Sequence, residues 1–199
     1  MNNAPLTRQQ RKRLRTRKQL KDAAMSLLLE MGYEAMTIQH ITDRADLGRG
    51  TFYLHFKDKG DVVWALIKDG IDTADRNAHQ RMGIMDYSNS EYFGYINMFQ
   101  HANQNKALYR VMLGSQGSSM LTSRVQDYMA GELEQDMQKL PIYREYKGVP
   151  DKVVAQIITG AVVRSIIWWL ETPNEYSPEE MAAMLYESLH HKKPQTREG

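Results

Sequence analysis

Hydrophobic positions in the first sixty residues recur at helical spacing. Leu20, Ala24, Leu27, Leu28 and Met31 fall at i, i+4, i+7, i+8 and i+11, one apolar stripe along a helix. Gly32 follows, where a left-handed helix stop is expected. Thr37 then offers a hydroxyl to cap a second helix, with Ile38, Ile41 and Ala45 facing inward. Ala45-Asp46-Leu47-Gly48 makes a turn with Leu47 as its apolar plug, and a third helix opens at Arg49. On it Phe52 and Phe56 are i and i+4 and share a buried face. Arg49, Tyr53 and Lys57 share a second face, and Thr51 and His55 a third beside it. Helices below roughly 12 residues are marginal in water, so this one must be held by its neighbours. The pattern predicts a helix-turn-helix with Leu20, Ala24, Leu28, Ile38, Ile41, Leu47, Phe52 and Phe56 as its core. Its outward polar edge is suited to enter the DNA major groove.

Periodicity predicts six further helices. Asp58 caps one from about Lys59 to Arg81, with Val62, Val63, Leu66, Ile67 and Ile71 inward. A capping box, Ser88-Asn89-Ser90-Glu91, opens the next, which carries Tyr92, Phe93, Tyr95, Ile96 and Phe99. A short helix spans about 106–113. The Gly114–Ser119 loop leads to a longer helix ending before Pro141, and residues 141–150 form a proline-bounded connector. The helix Asp151–Leu170 is apolar on most sides. Ser177-Pro178-Glu179-Glu180 combines a cap, a first-position proline and a box glutamate, and opens the last helix, through about Leu189. No strand pattern and no internal repeat is present. The fold class expected is all-α: a basic arm over 1–15, a helix-turn-helix domain over 16–60, a larger helical domain over 61–190, and a disordered tail over 191–199.

Charge sharpens this division. Residues 1–60 hold twelve basic and six acidic side chains, and the remainder fourteen and eighteen, so a net +6 segment precedes a net −4 segment. The first 21 residues carry Arg8, Arg11, Lys12, Arg13, Arg15, Arg17, Lys18 and Lys21 with no acid. Such a block is a solvated tail in many proteins, but beside a groove-reading helix it suits a phosphate-contacting arm. The chain has no cysteine, which excludes disulfides and thiolate metal sites. No apolar run of roughly 7–15 residues follows the basic start, so no secretory leader is expected. Gln156, Arg164 and Ser165 interrupt the longest apolar stretch, Val153–Leu170, which makes it a poor membrane span. A soluble cytoplasmic protein is expected, without cofactor, metal or membrane partner.

The stretch AAMSLLLEMGYEAMTIQHITDRADLGRGTFYLHFKDK, and above all its ending TFYLHFKDK, resembles the DNA-binding domain of the TetR family of bacterial transcriptional regulators over about Arg17–Val62. Two positions depart from the usual pattern. Asp46 stands where glycine is commonest, and Gly48 where serine usually caps the recognition helix. Both are tolerable, because Asp visits positive φ readily and Gly is an acceptable N-cap. The resemblance implies that Thr37 donates to a phosphate. It puts Arg49, Gly50 and Thr51 nearest the base edges, with Arg49 the direct reader and Gly50 permitting close backbone approach. It also implies that Tyr53 and His55 contact phosphate or sugar and that Lys59 clamps a phosphate. His40, on the outer side of the second helix, is left without a role.

The segments GAVVRSIIWWLE and YSPEEMAAML are similar to one branch of TetR-like C-terminal domains. The family dimerises through its last two long helices, and here Val153–Leu170 has more apolar surface than a small domain can hide. Gly160 and Ala161 would admit a partner helix closely, and Met181, Ala182, Met184, Leu185 and Leu189 supply an apolar face on the next helix. The implied partners are a double-stranded operator, a second copy of the chain and a small-molecule effector. Aromatic and methionine side chains that could line an effector pocket are Phe93, Phe99, Tyr109, Met112, Met120, Tyr128, Trp168 and Trp169, although the same residue types also build ordinary cores. Trp168 and Trp169 point about 100° apart, so one can line a pocket while the other packs an interface. Arg164 can pair with an acid across the dimer interface or hold an anionic ligand group, and the structural pairing is favoured. Repression is the family's commonest mode. No zinc-spaced His/Glu set, phosphate loop or nucleophile elbow suggests an enzyme. The competing reading is a sequence-indifferent nucleic-acid binder acting through the basic arm alone.

Overall fold

The computed structural model describes residues 5–82, 90–114, 119–139 and 148–190. Among them are nine helices and no strand: α1 (Arg8–Ala35), α2 (Ile38–Ala45), α3 (Arg49–Tyr53), α4 (Lys59–Met82), α5 (Ser90–Gln104), α6 (Lys106–Leu113), α7 (Ser119–Lys139), α8 (Asp151–Glu171) and α9 (Pro178–His190). The chain divides into two compact units, Met1–Asp69 and Gly70–Gly199, with the division inside α4 rather than at the 60/61 boundary expected from the sequence.

In the first unit α1 begins well before its apolar stripe. Thr7 and Gln10 cap it reciprocally: Thr7 Oγ1 accepts from the Gln10 amide at 3.2 Å, and the Thr7 amide donates to Gln10 Oε1 at 2.8 Å. No breaker lies between there and Gly32, so residues 8–15, expected as a separate arm, continue the helix. At Gly32 the chain takes φ 77° and kinks, then resumes a last turn to Ala35. The kink turns Tyr33 into the core and leaves Met31 exposed, which corrects its inward assignment. Leu20, Ala24, Leu27, Leu28, Ile41, Phe52, Phe56, Val62 and Val63 are buried as the periodicity requires, while Ile38, Ala45 and Leu47 are half-buried. Met36 adds a residue that the stripe did not include.

The second unit packs α7 along α8 and α5 along α9. Phe99, Trp169, Tyr95 and Tyr186 anchor its core, with the Phe99 and Trp169 rings edge-on at 5.6 Å. The box at the start of α9 forms as expected: the Ser177 amide donates to Glu180 Oε2 at 2.7 Å, and Ser177 Oγ accepts from the Glu180 amide at 3.2 Å. The box expected at Ser88–Glu91 begins outside the described residues, as do most of the 114–119 loop, most of the 141–150 connector and the tail over 191–199. By length and composition α8 could cross a membrane, despite Gln156, Arg164 and Ser165, yet more than half of it is buried within the unit. Gly160 faces inward across α7, where an added Cβ would lie 3.1 Å from Gln126 Nε2. This corrects its expected role against a partner helix.

Candidate nucleic-acid interface

The helix-turn-helix is held at its turn by backbone geometry. Thr37 Oγ1 accepts from the His40 amide at 3.1 Å and starts α2. Its own hydroxyl hydrogen stays available to donate, and the residue is exposed. Asp46 ends α2 in the left-handed conformation (φ 53°, ψ 48°), the conformation its position in the turn demands. Gly48 caps α3 from extended backbone without a side-chain bond. The helix proper is one turn and a half, Arg49–Tyr53. Beyond it the Phe56 amide still donates to the Phe52 carbonyl at 2.9 Å, which keeps both rings inward.

α2 is fixed to α1 by a two-pronged ion pair. The Arg44 guanidinium donates to both Glu30 carboxylate oxygens at 2.7 Å and to Ser26 Oγ at 2.7 Å. Hydrogen bonds from Arg44 first and Ser26 second draw the Glu30 carboxyl down to about 2.

On the outer edge, Arg49 Nε donates to Gln39 Oε1 at 2.6 Å, while Gln39 Nε2 donates to Asp43. The two terminal nitrogens of Arg49 still point a forked donor set outward. Nothing lies within 4 Å of a Cβ built on Gly50, so its outer side is open. Thr51 is half-buried, while Tyr53 is 58% exposed, its ring edge-on to Phe52 at 5.6 Å. His55 turns partly inward, and its Nδ1 is buried with no hydrogen-bond partner. Burial chiefly, then the charges of Arg13 and Arg17, lowers its pKa and favours the neutral ring. Arg17 reaches the same spot, donating to the His55 carbonyl at 2.8 Å with its guanidinium 4.1 Å from the Phe56 ring centroid.

Lys59 is engaged within the unit. Its ammonium donates to the carbonyls of Tyr33, Glu34 and Met36 at 2.9, 3.2 and 3.2 Å and lies 4.5 Å from the Tyr33 ring centroid. All three of its donors are therefore used in a clasp on the end of α1, and the phosphate contact that the resemblance implies stays a proposal. Arg8, Lys12, Arg13 and Arg15 are exposed, and no acid pairs with them among the described residues. Lys18 pairs with Asp22, and Lys21 with Asp69.

Residues 20–66 match the family described as bacterial regulatory proteins, tetR family, and residues 90–191 match the family described as transcriptional regulator C-terminal region. The chain belongs to the TetR family. Among its relatives, the uncharacterized HTH-type transcriptional regulator YxbF of Bacillus subtilis is 19% identical over 178 residues, 88% of this chain. The chain spans only 45% of that relative's length. A putative TetR-family transcriptional regulator from Syntrophomonas wolfei superposes with a TM-score of 0.68 at 19% identity, covering 89% of this chain and 94% of that one. RolR, solved in complex with resorcinol, superposes with a TM-score of 0.64 at 18% identity, covering 93% of this chain and 91% of that one. The all-α, TetR-like architecture read from the sequence is the one observed.

Two side chains on this surface went unnoticed in the sequence. Gln39 tethers the reader, and its pairing with Asp43 at i+4 on an exposed helix face was the available signal. Leu54 is 75% exposed; two residues from Phe52 and two from Phe56, it must point away from the core.

Of the eight residues expected around an effector pocket, Trp169 borders one cavity and Tyr109 another. Phe99, Met112 and Trp169 are buried in the core, and Phe93 and Tyr109 are half-buried. Met120 and Trp168 face outward, the latter 41% exposed against 6% for Trp169. Tyr128 donates to Asp72 Oδ1 at 2.8 Å. Arg164 is exposed and forms no ion pair among the described residues.

Proposed function

We propose that this chain is a cytoplasmic DNA-binding transcriptional regulator that represses from a pseudo-palindromic operator as a homodimer and is released by a small-molecule effector. The observation that carries the reading is the outward edge of α2 and α3, where Gln39 presents the free fork of Arg49 beside the open backbone of Gly50. An Arg fork matches the O6 and N7 acceptors of guanine in the major groove. Thr37, Thr51 and Tyr53 flank it as phosphate or sugar contacts, and exposed Leu54 suits a thymine methyl or a sugar. His55 contributes through the backbone that Arg17 holds, and Lys59 through the clasp. The exposed basic side of α1 adds phosphate attraction that carries no sequence information.

The dimer is supported by one face of α8. Val153, Ile157, Ala161, Arg164 and Trp168 lie at i, i+4, i+8, i+11 and i+15, and Val153, Ile157 and Trp168 are exposed apolar side chains. Met184 on α9 is exposed as well. Two readers related by a two-fold axis would address half-sites about 34–36 Å apart. An effector that binds one spacing better would shift the population between spacings. The effector itself is proposed from the family and from the resorcinol complex of RolR.

Footprinting on the DNA flanking the protein's own gene, with random duplex as competitor at fixed salt, tests the regulator reading. Protection of a two-fold-related sequence that survives competition supports it. Binding that ignores sequence and disappears with salt would leave the basic helix as the sole DNA-binding element. Light scattering at micromolar concentration tests the dimer, with Ile157→Glu expected to yield the monomer mass.

A further inference from the structure

The second unit contains a cavity of about 330 Å³ bounded by the end of α5, the first turns of α6, the last turn of α8 and the α8–α9 connection. Its wall carries two cations, Lys106 and Arg110, two side-chain amides, Asn103 and Asn174, and the indole of Trp169. Among the described residues no carboxylate lines it. Lys106 and Arg110 are i and i+4 on α6 and so face the same space.

Positive charge at the end of a helix has an ordinary use, since it satisfies the last carbonyls. Here that use is already met. Arg110 donates to the Leu170 carbonyl through Nε at 2.8 Å and Nη2 at 2.6 Å. Asn174 Nδ2 donates to the Trp169 carbonyl at 2.9 Å, and the Thr172 amide to the Trp168 carbonyl at 2.9 Å. The Trp169 indole N–H is taken by the Tyr176 carbonyl at 2.9 Å. What remains is the Lys106 ammonium, 5.8 Å from the Trp169 ring centroid with no acid paired to it among the described residues, and the second terminal nitrogen of Arg110. Two like charges one turn apart are mildly unfavourable on a bare helix. An anion between them removes that repulsion and gains charge-assisted hydrogen bonds.

We propose that this cavity binds a small planar carboxylate, its oxygens held by Lys106 and Arg110 and its flat body laid against the indole of Trp169. The amide of Asn103 orients it, and the aromatic wall selects a planar, partly apolar anion over a naked inorganic one. Such a ligand would join α6 to the α8–α9 connection. That this binding acts on DNA affinity rests on the regulator reading above, whereas the binding itself does not.

Titration calorimetry on the full chain without DNA tests the site, using benzoate, its neutral isostere benzamide and inorganic phosphate as probes. Benzoate is expected to bind at least tenfold more tightly than benzamide or phosphate. Lys106→Met is expected to weaken benzoate at least tenfold and Lys106→Arg to retain it. Because Lys106 is exposed and its ammonium rests only near the indole, the melting temperature of both variants should stay at the parent value. No heat with benzoate at millimolar concentration, equal binding of benzamide or phosphate, or a Lys106→Met variant that binds as the parent does would each overturn the proposal. The footprint without ligand fails or succeeds independently, so loss of one reading is distinguishable from loss of the other.

Discussion

Gln39 Oε1 accepts from Arg49 Nε at 2.6 Å, so a residue on α2 sets the direction in which the guanidinium on α3 points. A long side chain held at one nitrogen loses much of its rotamer freedom before it meets a partner, which lowers the entropy lost on binding. The outer fork is thereby presented rather than searched for.

Replacing Arg49 by Ala should lower discrimination between operator and random duplex by about 1–3 kcal/mol, read by competition at fixed salt. Gln39→Ala should lose a smaller part of the same discrimination, because the fork survives without its tether. Arg49→Lys should not restore it, since an ammonium lacks the planar fork.

Asp46 holds a positive φ in the turn between α2 and α3. Asp46→Val should destabilise the first unit by about 1–2 kcal/mol, the cost of forcing a side chain without local hydrogen bonds into the left-handed region. Asp46→Gly should match or exceed the parent. Urea midpoints with an unchanged m-value provide the measurement.

Lys59→Met leaves the carbonyls of Tyr33, Glu34 and Met36 without the ammonium they share. A loss of about 1–3 kcal/mol in unfolding free energy is expected in the absence of any DNA. A lysine whose only work was to grip phosphate would leave that number unchanged and alter only the salt slope of DNA binding.

His101 and Tyr109 meet in the second unit with Nδ1 and the phenol oxygen 2.9 Å apart. Burial lowers the pKa of His101, and burial pushes the Tyr109 phenol up to about 12. The folded state thus binds the imidazole proton less readily than the unfolded chain does. The stabilisation is present above the unfolded value of about 6.5 and is lost as pH falls through the lower folded value. Urea midpoints should fall between about pH 7.5 and 5.5, and His101→Gln should flatten part of that slope. His55, whose pKa is also lowered, accounts for a further part.

The helix order, the Thr37 and Ser177 caps and the inward pair Phe52 and Phe56 were legible because each depends on local spacing. The fate of Lys59 was not, since a lysine at the start of a helix can serve phosphates or nearby carbonyls equally well and only the fold decides. Nor could sequence tell that Gly160 lies against Gln126 within its own chain. The aromatics and methionines suggested a greasy cavity because core and pocket use the same residue types. The polar cavity beside Trp169 was invisible for the opposite reason: its residues come from two stretches, 103–110 and 169–178, that lie far apart in the chain and meet only in the fold.

The unbroken run of α1 through Arg8, Lys12, Arg13 and Arg15 has a practical corollary. A stiff rod of uncompensated guanidinium and ammonium groups will attract any polyanion in a cell extract. Preparations made in dilute buffer should emerge contaminated, with an ultraviolet spectrum skewed toward nucleotides, until a heparin column or a high-salt wash strips them clean.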